Sequence, residues 1–433
     1  MASVSALLPA LCKKIRGVAE PGTDMELRRV SMACIFVAMH NLGHARKTTN
    51  KRRKSITPVS TSQFLDNEYP LGTGISSKVS EVQHRTSGKT FAMKRLDEQD
   101  DDVGEEEDDV CFNLRVLRQA CFMAACRGRP SLVRLHAVCI DPADTDRYCL
   151  LMENLGLSLH KVLSCMRHYK PFLEHEVRHM MRQILSGAKA MHELGIVHRG
   201  INSKNVLVAA IGYIVKIGGF GQATCTSETD VPFLNEVWEE APELLLQGRG
   251  ANESELLDSW SIGCLMAELL TGSALFVVKN RENTKEAQFH RLLDVLGVPG
   301  KKTMQEMKPR NLELANEVRE WRARRPRVGK KKPHNNNYRL RKLVPPEVLS
   351  DDGFEVLQGL VTFNPKKRLT AADALQLPWF SDNNGDKTDN SPAAEASQQV
   401  SRPVSRPCPF TCWLLLIGLL LLCLVVFVCI GSR

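Results

Sequence analysis

Apolar and polar positions alternate from residue 69 to about 96, as in "SKVSEVQ" and "FAMKRL", with a turn signal at "TSGK". A period of two broken by such turns predicts a β-meander. Residues 111–126 instead carry apolar side chains at helical spacing, which predicts a helix. "SLVRLHAVCI" and "RYCLLMENL" return to strand-like runs, and helical patterns dominate from residue 172 to 380. The fold class expected is α+β, bilobal, with a small β-rich lobe at 66–155 before a larger helical lobe at 156–380. Residues 1–65 are mixed, polar and basic, and no stable fold is assigned to them. Residues 381–408, rich in Asn, Asp, Ser and Pro, read as a flexible linker.

The last apolar stretch differs in kind. "FTCWLLLIGLLLLCLVVFVCI", residues 410–430, contains no charge. At about 1.5 Å per residue it would cross about 30 Å of hydrocarbon. One C-terminal transmembrane helix is therefore expected at 409–431, as a tail anchor. Arg402 and Arg406 precede it and favour a cytosolic body. The scarcity of charge after the span favours the endoplasmic reticulum or secretory pathway.

Composition is ordinary for a globular chain, 43% hydrophobic and 25% charged, with a net charge of +9. The charge is uneven. "KRRK" at 51–54 and "REWRARRPRVGKKK" at 319–332 are basic, while "DEQDDDVGEEEDD" at 97–109 is acidic. Such runs are usually solvated loops, and no aromatic interleaving suggests base stacking, so no nucleic-acid partner is expected. The fourteen cysteines form no CxxC pair and sit in apolar surroundings, as reduced thiols do.

One motif misleads. "HEVRH", His175 to His179, fits the zinc pattern HExxH. On a helix, Val177, Met181, Ile184, Leu185 and Ala188 mark the core face, which turns both histidines to solvent. No zinc site is expected there.

A larger constellation carries more. "LGTGISSKV", "FAMKRL", "HRGINSKN", "VKIGGFGQA", "APE", "DSWSIGC" and "PKKRLTAADALQLPWF" follow one another between residues 69 and 380. Their order and spacing resemble the protein kinase superfamily. "MAELLTGSALF" and "HRLLDVLGVP" look most like its cyclin-dependent kinase branch.

That resemblance implies a nucleotide site. Gly72 and Gly74 match the phosphate-covering loop, although Ser77 stands at the third glycine position and Ser76 replaces an aromatic. Lys94 matches the lysine that meets the α- and β-phosphates, and Gln119 falls where its glutamate partner would stand. Val79, Ala92 and Leu207 match the apolar residues around an adenine. Met152 matches the gatekeeper, with Glu153 to Leu155 as the hinge.

The same resemblance exposes what is missing. The aspartate that would accept a hydroxyl proton is Gly200, and the metal-binding aspartate of the "DFG" triplet is Gly219. Asn205 remains and could offer one carbonyl to a metal. Mg²⁺ is held by hard, mostly anionic oxygens and dehydrates reluctantly, so it is not expected here. Weak ATP binding, nearly independent of Mg²⁺, is the expectation, and aspartates restored at both glycines should raise metal dependence. The segment before "APE" also departs, with Val231 near the usual phosphothreonine, Thr229 a weaker candidate, and Glu236 in place of a threonine.

Structural positions are retained. Glu243 and Arg368 match a buried ion pair, Asp258 the residue bracing the catalytic loop, and His198 and Phe220 a hydrophobic column between lobes. The expected function is a membrane-tethered pseudokinase acting as scaffold or decoy for a protein partner. The alternatives are an active serine/threonine kinase with atypical catalytic residues and an interaction domain without nucleotide. The cyclin-contacting motif is not recognisable in "VCFNLRVLRQACF", which argues against a cyclin.

Overall fold

In the computed structural model the described residues are 59–74, 77–96, 109–141, 147–209, 213–226, 240–247, 254–276, 284–324 and 338–381. A six-stranded sheet comes first, formed by β1 (Val59–Ser60), β2 (Phe64–Gly74), β3 (Ser77–His84), β4 (Thr90–Leu96), β5 (Leu135–Asp141) and β6 (Arg147–Glu153). Its strand order is β1-β5-β6-β4-β3-β2. All pairs are antiparallel except β1 with β5, where Val59 faces Cys139. Alternation splits the strands between two faces. Ala92, Leu150 and Met152 join the main core with helix α1 (Asp109–Ala125), whereas Met93, Cys149 and Leu151 pack with Phe64, Val82 and Cys139 on the other side. Pro70, which lacks an N–H, sits where the β2–β3 register shifts.

This sheet begins earlier than the boundary at residue 66 allows. Val59, Ser60, Phe64 and Leu65 belong to strands, where the sequence pattern alone assigns no stable fold to residues 1–65. The reason is non-local: β1 completes the edge of β5, a strand far along the chain, and the Phe64 ring is buried.

The helical part is built on α2 (Glu174–His192). Val177, Met180, Met181, Ile184, Leu185, Ala188 and Met191 line one buried stripe. Glu176 caps its first turn by accepting the Leu173 N–H at 2.7 Å. His175 and His179 lie exposed on the opposite face. Short strands β7 (Leu157–Ser158), β9 (Val206–Val208) and β10 (Val215–Ile217) form one small sheet, and β8 (Ile196–Val197) pairs with β11 (Thr224–Cys225). These strands hold the loops at 198–205 and 218–222 beside each other.

After α3 (Pro242–Gln247) comes α4 (Glu255–Thr271), capped by Ser254 at its start and by left-handed Gly272 (φ 74°) at its end. A β-carbon at 272 would strike the Tyr169 carbonyl, so close approach as well as backbone conformation demands glycine there. Helices α5 (Lys285–Leu296), α6 (Lys301–Met307), α7 (Leu312–Arg324), α8 (Tyr338–Leu343), α9 (Asp351–Leu360) and α10 (Ala371–Ala374) complete the lobe.

The expected membrane placement is corrected here. Among the described residues no helix is long and apolar enough to cross a membrane. Residues 410–430, which carried the expectation of a span and of an endoplasmic-reticulum or secretory location, lie outside them. Residues 97–108, 227–239 and 325–337, with Val231, Thr229 and Glu236 and most of the acidic and basic runs, lie outside them too.

Candidate functional site

Between the β-rich and helical parts runs a cleft of about 560 Å³. Leu71, Gly72 and Val79 come from β2 and β3, Ala92 and Lys94 from β4, and Met152 from β6. Leu155 and Leu207 contribute from the connection and from β9. These walls are apolar because alternate residues of the strands point to one face. Of the nucleotide candidates, Gly72, Val79, Ala92, Lys94, Glu153, Leu155, Asn205 and Leu207 all line the cleft. Gly74 pairs with Ser77 at the tip of β2 and β3 and is not among the lining residues.

Lys94 donates a 3.0 Å hydrogen bond to Oε1 of Gln119, on α1. An amide satisfies one N–H of the ammonium and leaves its charge uncompensated. Burial with no such compensation lowers the Lys94 pKa from 10.5 to about 8. Glu153, the hinge carboxylate, is already engaged. It accepts two 2.8 Å bonds from Lys216 and one of 2.7 Å from the Arg134 N–H. Among the described residues lining the cleft it is the one carboxylate.

The loop at 198–205 is fixed by Asp258 of α4. Its carboxylate accepts the backbone N–H groups of His198 (2.8 Å) and Arg199 (2.7 Å) and bonds Nε2 of His192 at 2.9 Å. Burial alone would raise the Asp258 pKa. The His192 hydrogen bond and the charges and N–H of the surrounding loop outweigh it and hold the carboxyl below its ordinary range. His198 donates from Nε2 to the Gly218 carbonyl at 2.8 Å and meets the Phe220 ring edge-on at 5.0 Å. Burial, only partly offset by Asp258, holds its imidazole below the ordinary pKa.

At positions 200 and 219 the geometry differs. Gly200 has ordinary space: a β-carbon there would meet Asn205 Nδ2 at 3.5 Å and His198 Nδ1 at 3.8 Å. Gly219 has φ 76° and no room, because the Asn205 amide lies where its β-carbon would stand. Asn205 is held in that pose. Its Nδ2 donates to the Gly200 carbonyl at 2.7 Å, and its own carbonyl accepts the Gly218 N–H at 2.8 Å. An aspartate at 219 would therefore require the Asn205 side chain to move.

Among the described residues lining the cleft, donors suited to magnesium are few. Gly200 and Gly219 offer no side chain, Glu153 is consumed by Lys216, and the Asn205 amide donates to the Gly200 carbonyl. Among the described residues no group of three His, Cys, Asp or Glu could hold a metal.

Further out, Glu243 of α3 and Arg368 form a buried bidentate pair at 2.6 and 2.8 Å. Arg368 also donates to the carbonyls of Leu256 and Thr362 and lies 5.1 Å from the Trp260 ring centre. Several cleft residues escaped the sequence reading. Asn202 organises the loop by accepting the N–H groups of Lys204 and Asn205, each at 3.1 Å, and an asparagine opening a polar loop was a usable signal. Lys161, which donates to the Pro70 carbonyl across the cleft at 2.9 Å, and Lys216 carry no local signature.

Comparisons with known proteins agree with this geometry. The protein kinase domain family matches residues 65–380. Cyclin-dependent kinase F-2 of Oryza sativa subsp. japonica is 37% identical over 320 residues, covering 72% of this chain and 88% of the relative. Cyclin-dependent kinase G1 of Arabidopsis thaliana is 30% identical over 320 residues, covering 72% and 48%. Cyclin-dependent kinase 11B of Homo sapiens is 28% identical over 341 residues, covering 75% and 39%. The chain thus spans most of the first relative and less than half of the other two.

Proposed function

The chain belongs to the protein kinase family, in its cyclin-dependent-kinase-like branch, and on that premise we propose that it is a pseudokinase. It keeps a nucleotide cleft, contacts nucleotide weakly without a metal, and acts through a protein partner rather than by phosphoryl transfer.

The observation that carries this reading is the pair of side-chain-free positions, 200 and 219, the second already filled by the Asn205 amide. Phosphoryl transfer in this fold is positioning plus electrostatics: a carboxylate orients and accepts the hydroxyl proton, and metal ions neutralise the developing charge. Losing a positioned base costs about 10²–10⁴ in rate, and losing the metal removes charge stabilisation of several kcal/mol. What the chain keeps is support. Asp258 holds the loop backbone, and Glu243 and Arg368 hold the lobe.

The active-kinase reading draws on the relatives' names and on the survival of Lys94 and Asn205. It requires a base and a metal carboxylate from outside the described residues. The relatives are named for cyclin dependence. In this chain the sequence of α1 carries no recognisable cyclin-contacting motif, and a different protein partner is proposed.

Intact-mass measurement on protein from a bacterial host without eukaryotic kinases tests the reading. Unmodified protein after incubation with ATP and Mg²⁺ is expected. Phosphorylated protein that is absent from Lys94→Ala would overturn it.

A further inference from the structure

We infer that Gln119 converts this cleft into a site for nucleoside polyphosphates in their metal-free form, with Mg²⁺ acting as an antagonist of binding. This rests on the nucleotide reading above and sharpens it, from a metal that is dispensable to a metal that opposes.

The argument begins with charge. Lys94, Lys161 and Lys204 line the cleft, and the one carboxylate among the described lining residues, Glu153, is tied to Lys216 and to the Arg134 N–H. Lys94 has the neutral Gln119 amide at 3.0 Å where a carboxylate would have neutralised it. The amide accepts one N–H and leaves the ammonium two more donors and a full charge to meet an anion. A charge in a partly dry cleft is compensated most effectively by a ligand that brings opposite charge of its own. The lowered Lys94 pKa, about 8, is caused by burial and agrees with there being no anion beside it among the described residues.

Gln119 also faces the glycine triplet. A β-carbon at Gly221 would meet the Gln119 amide at 3.8–3.9 Å. The amide therefore stands between Lys94 and the loop where a metal carboxylate would sit, and that loop presents Gly219 with the Asn205 amide packed over it. A divalent ion arriving on a triphosphate finds lysines ahead of it and, among the described lining residues, no free carboxylate to complete its shell. Chelation by Mg²⁺ removes two negative charges from the triphosphate, the same charges on which attraction to Lys94 depends. Metal-free ATP or ADP keeps them. Gln119 is thus the residue that determines which form of nucleotide enters.

Titration calorimetry with ATP and ADP tests this, in EDTA and in excess Mg²⁺ at matched ionic strength, on the full chain and on Gln119→Glu. Metal-free ATP should bind at least about tenfold more tightly than Mg²⁺-ATP. Gln119→Glu, which neutralises Lys94 and places a carboxylate near the phosphates, should weaken metal-free binding about tenfold and abolish the antagonism. Equal or tighter binding with Mg²⁺ overturns the inference and leaves nucleotide binding standing. Metal-free ATP bound as tightly by Gln119→Glu as by the unaltered chain also overturns it. No binding in either condition overturns both the inference and the nucleotide reading. Should Gln119→Glu fail to fold, the comparison of EDTA with Mg²⁺ in the unaltered chain decides alone.

Discussion

The Asn205 amide occupies the space that the β-carbon of any residue other than glycine at position 219 would need. The two positions have settled into each other. Asn205 spans from the Gly200 carbonyl to the glycine triplet, and Gly219 takes a left-handed backbone (φ 76°) that glycine adopts without cost. The space beside Gly219 is filled by packing, not left as a hole.

Side chains returned to 219 should therefore destabilise. Gly219→Ala is expected to cost about 1–3 kcal/mol, from the positive φ and the displaced Asn205. Asn205→Ala should cost about 1 kcal/mol by removing the bond to Gly200. The double variant should lose less than the sum, since Asn205→Ala makes room. Urea denaturation of the four proteins measures the coupling, and strict additivity would contradict the packing described.

At 200 the outcome should differ. Gly200→Asp meets ordinary contact distances to Asn205 and His198 and should fold with nearly unchanged melting temperature. It should not recover transfer, because no carboxylate returns to 219. A large fall in melting temperature, or measurable transfer by this single variant, would contradict the geometry.

The Glu243–Arg368 pair allows a sharper stability test. Arg368→Met strands a buried carboxylate and should cost about 3–5 kcal/mol. Replacing both, with Glu243→Leu added, should recover part of that loss, as no charge is then left alone. Denaturation curves for the single and double variants decide. A double variant less stable than Arg368→Met would contradict the assignment of the cost to an unpaired Glu243.

Much of this was legible before any coordinates, and the boundary has physical causes. Period-two alternation located β3 and β4, strand-like runs located β5 and β6, and the apolar stripe of α2 placed His175 and His179 on its outer face. Gly200 and Gly219 stood out because their neighbours kept a strict order. What escaped was set by contacts between distant residues. Val59 becomes a strand only because β5 offers it an edge. Lys216 looks like any polar strand residue until Glu153 is found beside it. The collision between Asn205 and position 219 involves side-chain volume across two loops, which spacing along one chain does not encode.

Lys94 supplies a pH dependence with a defined sign. Its folded pKa, about 8, lies below the ordinary 10.5, so between those values the unfolded chain holds more protons. Stability should rise with pH across that window, and the contribution should be lost as pH falls through about 8. Gln119, the hydrogen-bond partner of Lys94, does not titrate. The difference in urea stability between the unaltered chain and Lys94→Met, followed from pH 7 to 10, isolates the effect. A flat or falling difference would contradict an unneutralised Lys94.

The proposed loss of chemistry is tested most directly by phosphate transfer from radiolabelled ATP to a generic basic substrate. The protein must be purified free of other kinases, with Mg²⁺ present and Lys94→Ala run in parallel. Transfer no greater than that of Lys94→Ala is expected. Transfer by the unaltered chain that Lys94→Ala abolishes would contradict the account.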